Sequence, residues 1–595
     1  MRFLPPDPLR RSAHLTFDQL ALVIIIVTAI AAMASDRFRY DLVAILALLA
    51  SIVVGVVDQN NAFAGFANGA VITVAGVLII TRSIVATGIL EPVSRVLSDR
   101  FETRWAMVAV FCGAGALFSA FMNNIGALAL LMPIALSASA RRGEHPGYLL
   151  MPLSFATLLG GMTTLIGTPA NLIISQFRAN AIGHPFSMFD FTPVGGVVAV
   201  AGVIWLIALG WRMIPGRHLA DGEQRDAGKY VTELRVGMAG VNGFASVSDL
   251  ESALPVKVHG IIRADRRVFS AKNRQVFAPN DLVIFEAELD HLELLCDRHG
   301  FRLPGQIGVL SGDAEMVEAV VPADSIVQGS NLHTLEPADR WQVDIVAMAR
   351  QSKRFEGRLA DVTLSPGDIL IFRGDPARVD AAISDLGLLP LAARTIRLRP
   401  RAAVWGTAIF VLAIFLAATG IATPSVAFVA AIALMLLTGV VTARDLYRRL
   451  EGPVLVLLAA LIPLGEALRS SGTAELIAGY LLRWAGNVGP IWLLGLTLLL
   501  AMAITPVLNN VTAVIVLAPI VTALASGARL SPDAFLMAVA IGASTDFLTP
   551  VGHHNNTIIM GPGGYRFGDY WRCGLPVSIV VFFVALLMLP VIFPF

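Results

Sequence analysis

Ser119, Asn123 and Asn124 in FSAFMNNIGALALLMPIA, and Thr505, Asn509 and Asn510 in AITPVLNNVTAVIVLAPI, set hydroxyls and amides inside apolar runs. The two phrases superpose, Ala127 on Ala513 and Pro133 on Pro519, with the proline nine positions after the second asparagine in both. Hydrocarbon offers an amide no hydrogen-bond partner, so each pair must meet protein, water or an ion. Amide carbonyls and hydroxyls are hard oxygen ligands, which suit Na+ better than a transition metal.

A second element follows each phrase. GGMTTLIGTPANLII (Gly160–Ile174) and STDFLTPVGHHNNTII (Ser544–Ile559) align Gly167 with Gly552, Thr168 with His553 and Asn171 with Asn556, an offset of 385 residues. Glycine, proline and threonine break a membrane helix, and such breaks persist where the backbone faces protein or a wet cavity. Freed carbonyls can hold a cation, while the positive end of a following half-helix attracts an anion. Taken singly, an asparagine reads as interhelical glue and a glycine or proline as a packing notch. Recurrence of both elements, in order, in both halves points to one site built by a repeat.

Other polar residues keep two readings. Asp546 is either a cation ligand or proton carrier, or a helix cap or ion-pair partner. His553 and His554 either hydrogen-bond an anion or titrate with pH, or they cap the next half-helix. Arg82, Glu91 and Glu466 are expected to snorkel at membrane interfaces. Gly561-Pro562-Gly563-Gly564-Tyr565-Arg566 lacks the Lys-Ser/Thr ending of a P-loop and reads as a tight external or interfacial loop.

The elements that must position these groups are membrane helices. The 595 residues are 56% hydrophobic and only 15% charged, with a mean hydropathy of +0.72; a soluble chain carries about 25% charge. Apolar runs lie at Leu20–Ala34, Leu42–Val57, Val194–Leu209, Val404–Ala418, Pro424–Val441 and Leu575–Phe593, near the roughly 20 residues of a span. Arg10, Arg11 and the later Ala32-Met33-Ala34 imitate a secretory signal. A first transmembrane helix is expected instead, because a second span follows at once. A net charge of +1 argues against nucleic acid. Cys112, Cys296 and Cys573 show neither metal nor disulfide spacing.

Between a membrane half at 1–215 and another at 400–595 lies a polar insert with its own repeat. APNDLVIF (Ala278–Phe285) lies over SPGDILIF (Ser365–Phe372), an offset of 87 that also brings Val256-Lys257-Val258 over Val343-Asp344-Ile345 and Arg263 over Arg350. Pro-Asn-Asp and Pro-Gly-Asp are turns, each followed by a strand. Two small α+β domains are expected, at 216–303 and 304–399, without a dinucleotide G-x-G-x-x-G. Arg2, Arg10, Arg11, Arg212, Arg217, Arg394, Arg397, Arg399 and Arg401 place the insert in the cytoplasm and the C-terminus outside. Arg37 and Arg39 run against that scheme, softened by Asp36 and Asp41.

The Asn-Asn phrases, LIGTPANLII and TPVGHHNNTIIMGPGGYRFGDY resemble the divalent anion/sodium symporter (DASS) family. EAVVPADSIVQGSNLHTLE (Glu318–Glu336) and LADVTLSPGDILIFRGDP (Leu359–Pro376) resemble a tandem pair of TrkA C-terminal (RCK-C) domains. The combination is most similar to the family's sulfate-transporter-like branch. The resemblance implies an α-helical polytopic membrane protein, an inverted repeat with a re-entrant hairpin and an unwound helix in each half, plus two small α+β cytoplasmic domains. It also implies a homodimer with an elevator motion. Sodium would bind at Ser119, Asn124 and Gly167, and again at Thr505, Asn510 and Gly552. The anion would lie between the tips, near Asn123, Asn124, Thr168, Pro169, Asn509, Asn510 and His553. The family's Ser-Asn-Thr tip falls on Asn123-Asn124-Ile125 and Asn509-Asn510-Val511, so both threonine hydroxyls are missing. That favours a smaller oxyanion than a dicarboxylate.

The expected function is sodium-coupled symport of a divalent oxyanion, sulfate first, across the inner (plasma) membrane. No catalysis and no cofactor are expected, Na+ being the coupling ion. The alternatives are a di- or tricarboxylate symporter, a proton-coupled carrier using Asp546, a ligand-gated channel and a membrane sensor. The missing T-V-G-Y-G filter counts against the channel. Expected partners are the inorganic or carboxylate anion, Na+, lipid, a second copy of the chain and an unidentified small ligand of the RCK-C-like domains.

Overall fold

The computed structural model describes residues 16–34, 38–87, 103–214, 400–443, 446 and 452–595 apart from 487 and 507, and residues 230–391 with several stretches left out, the longest 303–314 and 351–360. Glu91, Cys296, Asp36, Arg37, the basic residues at 2, 10, 11, 217, 394, 397 and 399, and the expected domain limits near 215, 303 and 399 lie outside the described residues.

Apart from Thr473–Ala485 of the second half, the described residues of each membrane half run through the same elements. The first has α1 (Phe17–Ala34), α2 (Tyr40–Val53), α3 (Gly69–Ala86), the hairpin α4 (Arg104–Ser119) and α5 (Asn124–Arg141), then α6 (Gly147–Gly161), α7 (Pro169–Ile182) and α8 (Thr192–Trp205). A π-turn, Leu206–Gly210, carries α8 on to Met213. The insert contributes α9 (Val247–Ala253) and α10 (Pro376–Asp385). The second half has α11 (Pro400–Ala418), α12 (Pro424–Leu437), α13 (Gly452–Ser470), α14 (Thr473–Ala485), the hairpin α15 (Pro490–Ile504) and α16 (Asn510–Gly527), then α17 (Pro532–Ala543), α18 (His554–Met560) and α19 (Phe567–Ile592). The starts of α2 and α12, α5 and α16, and α7 and α18 lie 384, 386 and 385 residues apart.

Among the described residues six helices are long and apolar enough to cross a membrane. Val404, Trp405, Phe415, Phe583 and Leu587 on them are all more than half exposed, a surface suited to lipid and not to water. The run expected at Leu42–Val57 ends at Val53, because the chain turns at Gly55 with φ +84°, a conformation open to glycine. Close backbone approach sets the hairpin against its neighbour. A Cβ on Gly160 of α6 would lie 2.1 Å from the Ala116 carbonyl of α4.

The insert folds through its repeat. β1 (Tyr230–Val236), β2 (Lys257–Arg263), β4 (Leu282–Ala287) and β5 (Phe301–Arg302) recur as β6 (Glu315–Val320), β7 (Asp344–Ala349), β8 (Ile369–Gly374) and β9 (Leu389–Pro390), with β3 (Arg266–Arg267) at one edge. Both β2 and β7 carry a bulge, at Val258/Gly260 and Ile345/Ala347. Asn280 (φ +67°) and Gly367 (φ +87°) occupy the same turn position after proline, where a type II turn demands positive φ. Arg263 forks onto Asp281 at 2.8 and 2.7 Å, and Arg350 forks onto Asp368 at 2.7 and 2.5 Å. Burial pushes the Asp344 carboxyl above the ordinary carboxylate range, against relief from Arg373. Each unit has a core of its own, though Val346, Ala347 and Ile371 of the second unit join that of the first; β1 pairs with β7 at Val231 and Met348, so the nine described strands share one sheet. Ile369 and Leu389 pack against the membrane core, and a Cβ on Gly561 would lie 3.0 Å from the Gly367 carbonyl. The loop read as external or interfacial, Gly561–Arg566, is therefore on the insert's side, because α18 descends towards the insert before the chain turns into α19.

Candidate functional site

The first asparagine of each tip is a helix cap. Asn123 Oδ1 accepts from Gly126 N at 2.7 Å to start α5, and Asn509 Oδ1 accepts from Thr512 N at 2.9 Å to start α16. With its oxygen engaged, each offers its NH2 group, which suits an anion and not a cation. Thr168 caps α7 through Ala170 N at 3.2 Å, with Pro169 at the first helical position where its missing N–H costs nothing. His553, its counterpart, caps α18 through Nδ1 and Asn555 N at 3.1 Å.

The second asparagine behaves differently in the two halves. Ser119 Oγ donates to Asn124 Oδ1 at 2.7 Å, both side chains being buried. The Asn124 carboxamide fills the space over Gly161, where a Cβ would lie 2.2 Å from Oδ1. A Cβ on Gly167 would lie 2.4 Å from the Gly161 carbonyl. Ser119 is thus bonded to Asn124, whose carboxamide covers Gly161, and Gly167 packs on Gly161 as well. In the second half Thr505 Oγ1 donates to Ala501 O at 2.6 Å, and Asn510 Oδ1 accepts from Val511 N at 2.8 Å. The hydroxyl–amide bond of the first tip is not repeated there. Beside Gly552, a Cβ would meet Pro506 Cα at 3.2 Å, and Asp546 Oδ1 and Thr549 Oγ1 at 3.3 Å each. At the offset of 385, Asp546 stands where the first half has Gly161. Both its carboxylate oxygens are buried without a hydrogen-bond partner. It therefore neither caps a helix nor pairs with an arginine.

The halves interlock at these residues. α18 packs on α5 and α6, while α7 packs on α16 and α17. Asn124 Nδ2 lies 3.3 Å from His553 Nε2. Asn555 Nδ2 donates to the Asn124 carbonyl at 3.0 Å and to Thr157 Oγ1 at 2.8 Å. Each broken helix is clasped by its own asparagine. Asn171 Nδ2 bridges the carbonyls of Gly161 and Thr164 at 3.3 and 2.8 Å, and Asn556 Nδ2 bridges those of Asp546 and Thr549 at 2.7 and 3.1 Å. Ser154 Oγ joins this lattice through Asn556 Oδ1 at 2.9 Å. Sequence reasoning missed Asn555, Thr157 and Ser154. The doubled asparagine at 555–556, where the first half has Ala170-Asn171, was the available signal.

A cavity of about 620 Å³ lies away from the tips, among Asp58, Asn61, Gln176, Asn180, Glu466 and Arg469. Glu466 is ion-paired with Arg469. On that flank Arg178 forks onto Asp533 at 2.9 and 2.8 Å, tying the end of α7 to the start of α17.

The citrate transporter family matches residues 21–529 and again 470–595. The chain belongs to that family. It is a multi-pass membrane transporter and not an enzyme. It is 28% identical to an uncharacterized transporter of Synechocystis over 94% of both chains. It is also 28% identical to the uncharacterized transporter YfbS of Escherichia coli, over 96% of this chain and 98% of the relative. Sodium/sulfate cotransporter 2 of Chlamydomonas reinhardtii is 27% identical over 61% of this chain and 43% of its own length. These matches bear out the transporter family read from the Asn-Asn phrases and the broken helices.

Proposed function

We propose that the transporter couples an inward Na+ gradient to uptake of a divalent oxyanion, with sulfate the leading candidate. One observation carries the reading: the first tip, with Ser119 and Asn124 around Gly161 and Gly167, meets His553 and Asn555 of the opposite half. Cation ligands and anion donors therefore share one neighbourhood. Na+ binds first, and the anion then meets the NH2 groups of Asn123 and Asn509, the starts of α5, α7 and α16, and His553. The sodium/sulfate cotransporter relatives support sulfate. A second reading, a di- or tricarboxylate, draws its support from the description of the family that matches. The insert acts in the cytoplasm as a pair of TrkA-C-like regulatory modules through its contact with Gly561, and the protein works in the inner membrane as a homodimer by an elevator motion.

The test is uptake of labelled sulfate into proteoliposomes. Uptake should require a Na+ gradient and be competed by selenate more strongly than by citrate or succinate. Uptake that ignores Na+ and follows a pH gradient would remove the sodium coupling. Competition in the reverse order would move the substrate to the carboxylates.

A further inference from the structure

We infer that the second cation site of this transporter is a carboxylate site. Asp546, with the Thr549 hydroxyl and the Pro506 carbonyl beside it, holds one Na+ ion in the role the resemblance gives to Asn510. This deepens the sodium-coupled reading and rests on it for the identity of the ion and for the first site.

Asp546 is fully buried, and neither of its oxygens has a hydrogen-bond partner. A buried carboxylate without a partner is among the most costly arrangements a protein can hold, so it must either take a proton or be met by a cation, and the oxygens around it favour the cation. Among the described residues no charged group beside it supplies that charge. Arg178 and Asp533, at the far ends of α7 and α17, are paired with each other. Asp569 caps the start of α19 through Arg566 N. His553 and His554 face Asn124 and Tyr40. Tyr570 donates to the Asn556 carbonyl and Cys573 to the Gly210 carbonyl.

Further oxygens lie beside it. Asp546 Oδ1 and Thr549 Oγ1 both lie 3.3 Å from the point where a Gly552 Cβ would stand. Thr549 Oγ1 donates to the Pro506 carbonyl at 3.2 Å and accepts from Gly552 N at 3.0 Å. Each of those carbonyl and hydroxyl oxygens keeps a lone pair for a ligand. Oxygen donors of this kind, one of them anionic, suit a hard cation. Asn510 lacks the support that Asn124 has, because Thr505 donates to the Ala501 carbonyl and the Asn510 oxygen accepts from Val511 N instead.

The halves thus use different chemistry for one task. The first site is neutral, built from Asn124 and Ser119. The second is anionic, so a divalent anion is repelled from the pocket until that charge is met. This makes cation binding a precondition of anion binding.

The experiment counts 22Na+ bound to the purified full-length protein without any anion. The wild type should bind two ions per chain, Asp546→Asn one, and Asn510→Ala two. Thr549→Val should weaken one of the two by about tenfold, the scale of a lost contact to a charged group. Two ions at wild-type affinity in Asp546→Asn would overturn the proposal. So would loss of an ion in Asn510→Ala with wild-type affinity for both ions in Thr549→Val, a comparison that stands even where Asp546→Asn fails to fold. One ion in the wild type and in Asp546→Asn alike would assign the carboxylate to a proton, and would overturn it too. Because no anion is present, failure of sulfate uptake leaves this count untouched, and the two claims fail separately.

Discussion

The two membrane halves agree where the chain must be held and differ where it must bind. Asn171 and Asn556 make the same pair of bonds across the same break, Gly161 and Thr164 in one half and Asp546 and Thr549 in the other. Thr549 donates to Pro506, and its counterpart Thr164 donates to Ala120, the residue after Ser119 as Pro506 is after Thr505. Yet a glycine under an amide in the first half becomes a carboxylate in the second. Backbone breaks tolerate little change, since each freed carbonyl needs its donor. The ligand positions are free to diverge once the frame is secured. The insert makes the same point from the other side, since its fork, turn and bulge recur in both units with almost no difference in geometry.

The sharpest way to break the comparison is Gly161→Ala. The added methyl would stand 2.2 Å from Asn124 Oδ1 and displace the amide from the first site. Overpacking of this kind costs about 1–3 kcal/mol, so the apparent affinity for Na+ in uptake should fall by roughly five- to 150-fold. Wild-type sodium dependence in this variant would mean that Asn124 is not a ligand.

A smaller effect tests the shared frame. Asn171→Ala and Asn556→Ala should each destabilise the protein by about 1–3 kcal/mol, the cost of leaving buried carbonyls unpaired. Thermal unfolding in detergent reads this. A marked loss in one variant and none in the other would mean that the two breaks are held differently.

The smallest effect lies in the insert. Arg350→Lys and Arg263→Lys each lose a fork onto aspartate that one ammonium cannot reproduce. Hydrogen exchange in β8 and β4 should rise, more for Arg350, whose side chain is 16% exposed against 46% for Arg263. Equal protection in both variants would remove the forks from the account of how the units hold together.

Much of this was legible in the chain. Asparagines inside apolar runs and glycine–proline breaks announce themselves because membrane helices rarely contain them, and the tips and half-helices fell where those residues lie. The insert's repeat showed through its two Pro-x-Asp turns. The rest depends on which atoms meet across the fold. Asn555 gains its role from the packing of α18 on α5, a contact that the spacing of residues in the chain does not show. The cap roles of Asn123 and Asn509 depend on dihedral angles that no spacing reveals. The pairing of β1 with β7 joins strands from different units at no repeat offset. The exchange of Gly161 for Asp546 could be read by aligning the halves, but its meaning came only with the orphaned oxygens.

The most direct measurement is anomalous diffraction from crystals of the full chain grown with Na+ and selenate. Selenium is predicted between the two tips, within reach of the NH2 groups of Asn123 and Asn509 and of His553. A selenium peak in the cavity beside Glu466 and Arg469, with none at the tips, would contradict the account.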